Sequence, residues 1–381
     1  MQIKTITCHD VNNYGASLQT YALQRFLQQK GFETEVIDYR PIYKSDRLKF
    51  FEYNRTEGKI FKILRFLPFL KPIVGLIDHL RVPGHITDFK FIPKKKIFNE
   101  FKKQYLNCTN LCYRTINDLQ ERVPYADIYI AGSDQIWNSV GCNGRDPSYY
   151  CSFIPAKSKC ISYAASFGAS YIPEDQKEFV YSQLSRFSAI STREHSGVDI
   201  VNSLGYVAKE VLDPVFLLDR AEWENLCRRS HRQEKYLLVY DLDMNHPGVK
   251  NLCLELSKKN GWRIYSMNDF RTCPYAYYNI NDAGPIEFLE WIRDAQFVVC
   301  TSFHATAFSI IFHKQFYTFP LYHGKNHARM KDFLHKMKLG NHFIMDTIDQ
   351  SHLSNVDFDK VDELLAQYKE DSKKWLLENL K

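Results

Sequence analysis

The sequence predicts an α/β protein built from two Rossmann-like halves, and three observations predict it. Short apolar β runs alternate with helix-patterned stretches, the signature of parallel βαβ units. The alternation starts afresh after a turn at residues 213–218. Polar or small residues follow five of the strands at the point where the strand stops, where open α/β sheets bind ligands.

The first half opens with a strand at residues 3–8, followed by His9-Asp10-Val11-Asn12-Asn13-Tyr14-Gly15. A helix over about 16–30 comes next, with Leu18, Ala22 and Phe26 at the i, i+4 spacing of one buried face. Gly31 closes it as a C-terminal cap. Residues 35–39 form the second strand. A long excursion from about 43 to 125 reads as a helical, basic insertion. Within it, residues 59–81 are basic and amphipathic and are interrupted by Pro68 and Pro72. That stretch reads either as an ordinary packed subdomain or as an interfacial segment touching anionic lipid. Further strands at 127–131, 160–164 and 189–191 run into Gly132-Ser133-Asp134-Gln135-Ile136-Trp137-Asn138, Ala165-Ser166-Phe167-Gly168 and Thr192-Arg193-Glu194.

The second half repeats the scheme. Strands are expected at 236–240, 263–267, 297–300 and 316–319, and helices at 249–259 and 286–293. Pro285 suits the first turn of the latter helix. The strand at 297–300 runs into Thr301-Ser302-Phe303-His304-Ala305-Thr306-Ala307, which opens a helix. This places His304 at a strand end beside helix N–H groups, a position suited to anions and proton transfer. The expected divisions are 1–215, 216–345 and a helical tail at 346–381.

A chain of 381 residues is long enough for two cores. Its net charge of +6 is modest and suits acidic small molecules or a membrane surface; it carries no nucleic-acid signature. The chain begins on a core strand with no secretory signal, and no apolar run is long enough to span a bilayer. The ten cysteines form no metal-type CxxC pairs and read as free thiols in a reducing cytoplasm.

With these loops in hand, the chain resembles the polysaccharide pyruvyl transferase family. The matching segments are Asn12-Asn13-Tyr14-Gly15-Ala16-Ser17-Leu18-Gln19, the Gly132 to Asn138 loop, Ser162-Tyr163-Ala164-Ala165-Ser166-Phe167-Gly168, Ser191-Thr192-Arg193-Glu194, Leu212-Asp213-Pro214 and Thr301-Ser302-Phe303-His304. The resemblance implies a GT-B-like arrangement with the active site in the interdomain cleft, the first half on the acceptor side and the second on the donor side. It implies transfer of a pyruvyl group from phosphoenolpyruvate to two hydroxyls of a bacterial surface glycan or its lipid-linked precursor, giving a cyclic ketal and phosphate. No metal-ligand cluster is visible in the sequence, so no metal is expected, and no cofactor is expected beyond that donor. A cytoplasmic location follows, peripheral at the inner membrane face if residues 59–81 meet lipid. Alternatives from the same layout are a GT-B nucleotide-sugar glycosyltransferase and a non-catalytic glycan-binding protein.

The resemblance places the family's basic residue on Arg193 and its histidine on His304. Many members carry an arginine two positions before that histidine, where this chain has Ser302. Lys325 and Arg329 are therefore expected to supply the missing charge. Expected donor contacts are Arg193, Ser302, Thr301, Lys325 and Arg329. Expected catalytic groups are His304, Asp134 and Glu194. Asn13, Tyr14, Gly15, Ser133, Gln135 and Trp137 form the expected acceptor set. Asp134 reads equally as a cap for a helix beginning near Gln135, and Tyr14 and Trp137 equally as core aromatics.

Overall fold

The computed structural model describes residues 1–45, 92–228, 234–242, 246–268, 272–321, 328–345 and 354–381. The expected interfacial stretch at 59–81 and the candidate donor residue Lys325 lie outside the described residues.

The first half runs β1 (Gln2–Ile6), α1 (Tyr14–Gln29), β2 (Glu33–Tyr39), α2 (Ile92–Tyr105), β3 (Cys108–Tyr113), α3 (Ile116–Glu121), β4 (Ile128–Ala131), β5 (Lys159–Ser162), α4 (Glu174–Leu184), β6 (Ile190–Thr192), α5 (His195–Ser203) and β7 (Ala208–Glu210). The second half runs α6 (Arg220–Leu226), β8 (Tyr236–Tyr240), α7 (Pro247–Asn260), β9 (Arg263–Met267), β10 (Tyr278–Ile280), α8 (Pro285–Asp294), β11 (Phe297–Cys300), α9 (Phe303–Ile311), β12 (Gln315–Thr318), α10 (Ala328–Lys336) and α11 (Phe358–Asn379).

Each half builds the same parallel sheet. The strand orders are β3-β2-β1-β4-β5 and β10-β9-β8-β11-β12, one permutation used twice. It is the order of a Rossmann sheet, with the chain reversing direction between β1 and β4 or between β8 and β11. All these pairings are parallel, so within each sheet all loops at the strand C-termini share one edge. The first sheet continues through β6. Ser162 N–H donates to Ala189 O at 3.1 Å and Ser191 N–H to the Ser162 hydroxyl at 2.9 Å. β7 then pairs with β6.

Local sequence explains the elements that carry the cleft. α1 starts where the Asn13 side chain accepts the Ala16 N–H at 3.0 Å, and it buries Leu18, Ala22, Leu23, Phe26 and Leu27. α9 starts on the Ser302 cap and is buried along its whole length. A helix apolar all round sits inside a protein rather than on its surface, and α9 lies between its own sheet and α1. The two halves therefore share one hydrophobic cluster, in which Leu18 and Phe26 join Tyr236, Phe288 and Phe308.

Tyr14 pins this contact. Its ring stacks on Phe288 with centroids 4.6 Å apart, and its hydroxyl donates to Ala283 O at 3.2 Å. Lys94 of α2 lies 4.4 Å over the same ring and donates to Asn268 O. The tail helix α11 returns to the first half, where Leu212 N–H donates to Ser372 Oγ at 3.0 Å and Trp375 contacts Tyr163.

Two expectations are corrected. The excursion at 43–125 is not wholly helical, because β3 lies within it as the edge strand of the first sheet. Its exposed residues Asn110, Leu111 and Cys112 hide the strand signal. No helix begins near Gln135; the loop turns irregularly there, so Asp134 is not a helix cap.

Candidate active site

Seven side chains from both halves converge between the two sheets. Arg193 and Glu194 leave the end of β6, and Asp134 follows β4. Asp213 sits in the linker after β7. Phe303 and His304 form the first turn of α9, and Arg329 lies in α10.

Arg193 is the centre of the cluster. Its side chain is 1% exposed, and Nη1 donates to Asp213 Oδ2 at 2.6 Å. Nη2 donates to Asp134 Oδ1 at 3.4 Å, while Nε lies 3.9 Å from Glu194 Oε2. Its guanidinium is 5.2 Å from the Phe303 ring centre, and that of Arg329 is 5.3 Å from the same ring. One aromatic side chain thus contacts two cations, each a favourable cation–π pair. Asp213 also faces His304, with Oδ2 3.5 Å from Nε2. Its other oxygen accepts the Val215 N–H at 3.1 Å, which fixes the carboxylate to the linker.

Glu194 is held from one side. Oε1 accepts the Ser166 hydroxyl at 2.8 Å and the Phe167 N–H at 3.0 Å. Oε2 is buried and has no hydrogen-bond partner among the described residues, and the same is true of Arg193 Nε and His304 Nε2. Three orphaned polar atoms in one cluster are costly unless something pairs with them. They are the atoms of the cluster with bonding capacity left for a polar ligand.

The charges are strongly coupled. Burial pushes the Asp213 carboxyl up, but His304 and Arg193 outweigh it and hold the group well below the usual carboxylate range. Asp134 is lowered in the same way, with Arg193, His304 and Arg329 overcoming burial. Glu194 goes the other way: burial raises it despite Arg193 and Arg329. Burial and the neighbouring Arg193 bring Arg329 down to about 10, which leaves it cationic at neutral pH. Arg329 has no ion pair among the described residues. The site therefore offers a free guanidinium for an anion, a buried carboxyl able to hold a proton, and an imidazole nitrogen open for proton transfer.

Of the expected site residues, His304, Asp134, Glu194, Arg193 and Arg329 come together here. Gly15 is adjacent to them for a reason absent from the sequence. A Cβ on Gly15 would lie 1.9 Å from His304 Nδ1, so the glycine makes room for the imidazole. Asn13 is exposed at the start of α1, and Gln135 is half-buried and accepts from the Asn138 amide.

Three acceptor candidates are corrected. Tyr14 is spent in the contact between halves. Trp137 is fully buried, donates to Tyr149 O and stacks on Tyr150. Ser133 is fully buried and donates to Ala164 O. None presents a face to a sugar. Of the donor candidates, Ser302 Oγ accepts the Ala305 N–H as the α9 cap. Thr301 Oγ1 bonds Leu242 N and Asp241. Sequence reasoning missed Asp213, Ser166 and Phe303 as parts of the site.

A family model described as polysaccharide pyruvyl transferase matches residues 13–321. The chain belongs to this family. The matched span contains every residue of the cluster except Arg329. No curated protein matches the chain in sequence. Among solved structures, one from Listeria monocytogenes designated a UDP-N-acetylglucosamine 2-epimerase aligns with a TM-score of 0.54 at 7% identity, covering 98% of this chain and 90% of that one. A UDP-GlcNAc 2-epimerase from Neisseria meningitidis aligns at TM-score 0.48 and 9% identity, covering 100% and 99%. The E. coli heptosyltransferase WaaC with ADP aligns at 0.42 and 12%, covering 97% and 100%. At such identities the likeness concerns the fold, which is the GT-B arrangement of two Rossmann-like domains.

Proposed function

We propose that the protein transfers a pyruvyl group from phosphoenolpyruvate to a pair of sugar hydroxyls on a surface polysaccharide or its lipid-linked precursor, forming a cyclic ketal and releasing phosphate. The observation that carries this reading is the cluster of three orphaned atoms, Arg193 Nε, Glu194 Oε2 and His304 Nε2, beside Arg329, which has no ion pair among the described residues, in a member of this family.

The donor carries a phosphate and a carboxylate close together. Arg329 takes one of these anions and Arg193 Nε reaches the other, in a site dry enough to strengthen both contacts. Arg193 itself stays anchored by Asp213 and Asp134, so it serves more as a fixed positive charge than as a free fork. The reaction needs one proton on the methylene carbon and one on the departing phosphate; the two sugar hydroxyls supply both in the balance. Glu194, raised by burial, is the proton donor to carbon. Protonation makes C2 electrophilic, one hydroxyl attacks it, phosphate leaves and the second hydroxyl closes the ketal. His304, oriented by Asp213, exchanges protons with the hydroxyl and the departing phosphate. Asp134 stays ionised beside the oxocarbenium-like carbon and stabilises it.

Phosphate release that requires both phosphoenolpyruvate and a glycan acceptor tests this. Consumption of a nucleotide sugar with no response to phosphoenolpyruvate contradicts it.

A further inference from the structure

A second polar pocket lies on the same edge of the first sheet, away from the catalytic cluster. It sits beyond the ends of β1, β2 and β3 and is lined by Cys8, His9, Asp10, Tyr39, Arg40 and Arg114, among others. His9 is buried; its Nε2 bonds Asp38 Oδ1 at 2.9 Å and its Nδ1 lies 3.3 Å from Thr7 O. Arg40 grips Asp38 with both Nε and Nη2, at 2.8 and 2.7 Å. Lys102 bonds both Asp38 and Asp10. Arg40 and Lys102 are thus paired with Asp38 and Asp10, and the buried Asp146 accepts the Tyr39 hydroxyl behind the wall at 2.7 Å; of the charged residues that line the cavity itself, Arg40 and Arg114 face one carboxylate, Asp10. The surplus charge rests on Arg114, which is exposed at the mouth and has no ion pair among the described residues.

The cavity measures about 70 Å³. That is far below the ~300 Å³ at which pockets begin to hold a whole drug-sized molecule, so it admits one small group. Its position relative to the reaction is set by the sheet. β1 is hydrogen-bonded to β4, whose following loop carries Asp134, and the Thr7 hydroxyl donates to Ser133 O at 2.8 Å. Neighbouring strands are about 4.8 Å apart. The pocket therefore lies roughly two strand spacings, about 10 Å, from Asp134, within reach of a disaccharide.

We propose that this pocket binds a single acidic substituent of the acceptor, a phosphate or a carboxylate one or two sugar residues from the hydroxyls that react. The assignment to the acceptor rests on the proposed transfer reaction; the anion site does not. A glycan entering from the first half would be oriented at one end by Arg114 and Arg40 and presented at the other to Glu194 and His304.

The test is calorimetric titration of the full chain and of Arg114→Glu, each saturated with phosphoenolpyruvate, using inorganic phosphate, pyrophosphate and glucuronate in turn. Arg114 bonds Asp118 and Ile42 only through its backbone, which a substitution keeps, and its exposed side chain has no hydrogen bond or ion pair among the described residues, so the variant is expected to fold and to bind phosphoenolpyruvate as the native chain does. The expected result is anion binding by the native chain that Arg114→Glu weakens at least tenfold. Stronger binding of pyrophosphate points to a lipid-linked diphosphate, and stronger binding of glucuronate to an acidic sugar. Equal isotherms for the two proteins, or no binding of any of the three anions by the native chain, overturn the pocket. If phosphoenolpyruvate itself does not bind, the transfer reaction falls, while the difference between the two proteins still reads this pocket.

Discussion

Asp213 joins the two groups on which the proposed chemistry depends, since one of its oxygens faces both Arg193 and His304. Removing a buried charge leaves its partner uncompensated, at a cost of ~3–5 kcal/mol. Asp213→Ala is therefore expected to lower stability by about that amount and to abolish transfer, measured by urea denaturation and by phosphate release. Glu194 is the opposite case. Its buried carboxyl is raised, so it is expected to cost the resting protein stability in exchange for a held proton. Glu194→Gln should remove transfer while leaving the fold as stable as the native one, or more so, at pH 7. The signs can be separated by pH. Asp213 titrates lower in the folded state, so its contribution is full above its unfolded value near 3.9 and is lost as pH falls below that. Glu194 titrates higher when folded, so its penalty appears as pH rises above its unfolded value of about 4.3. Denaturation curves between pH 4 and 8 should show Glu194→Gln gaining on the native protein as pH rises; a gap independent of pH would contradict the raised carboxyl. Arg193, Glu194 and His304 were legible in the sequence because each lies just beyond a strand on the ligand-binding edge and because the family resemblance fell on Arg193 and His304. Asp213 was not, because Asp-Pro reads as a turn and its role arises only when the two halves close.

At the scale of elements, the site depends on how tightly α1 meets α9. Gly15 lies in the first turn of α1, and any Cβ there overlaps the His304 ring. Gly15→Ala is expected to move the imidazole off Asp213 and reduce turnover at least tenfold, about 1.4 kcal/mol in the barrier. Because alanine favours helix over glycine, stability should fall much less than activity; a crystal structure with His304 unmoved would contradict this. Tyr14 tests the packing alone. Replacing it with Ala should cost about 3–5 kcal/mol through the cavity left beside Phe288, read by thermal denaturation. The strands and helices that build this contact were legible from apolar runs and helical spacing. For Tyr14 and Trp137 the sequence offered a core and a ligand reading without deciding between them, and the burial of Ser133 was not legible, since a loop after a strand looks alike whether its side chains face ligand or core. β3 was hidden for a related reason: an edge strand with exposed residues lacks the apolar run that marks a central strand.

At the scale of the whole molecule, the two halves repeat one sheet order, and each keeps a cluster of its own while a third is shared between them. The cluster containing Leu18 and Phe26 also contains Tyr236, Phe288 and Phe308, and α11 ties the end of the chain back to the first half. Calorimetry should therefore show the halves melting together in one transition, with two separated transitions as the contrary result. The doubling of the α/β pattern was visible from the sequence; the shared core was not, because periodicity reveals which face of an element is apolar but not which partner covers it. The central claim is that this cleft makes a pyruvate ketal. Mass spectrometry of a panel of lipid-linked and free oligosaccharides, incubated with the protein and phosphoenolpyruvate, tests it most directly. The account predicts an acceptor whose mass rises by one pyruvate less one water, with one phosphate released per acceptor and no product from His304→Ala. A product carrying an added sugar, or ketal formation undiminished in His304→Ala, would contradict it.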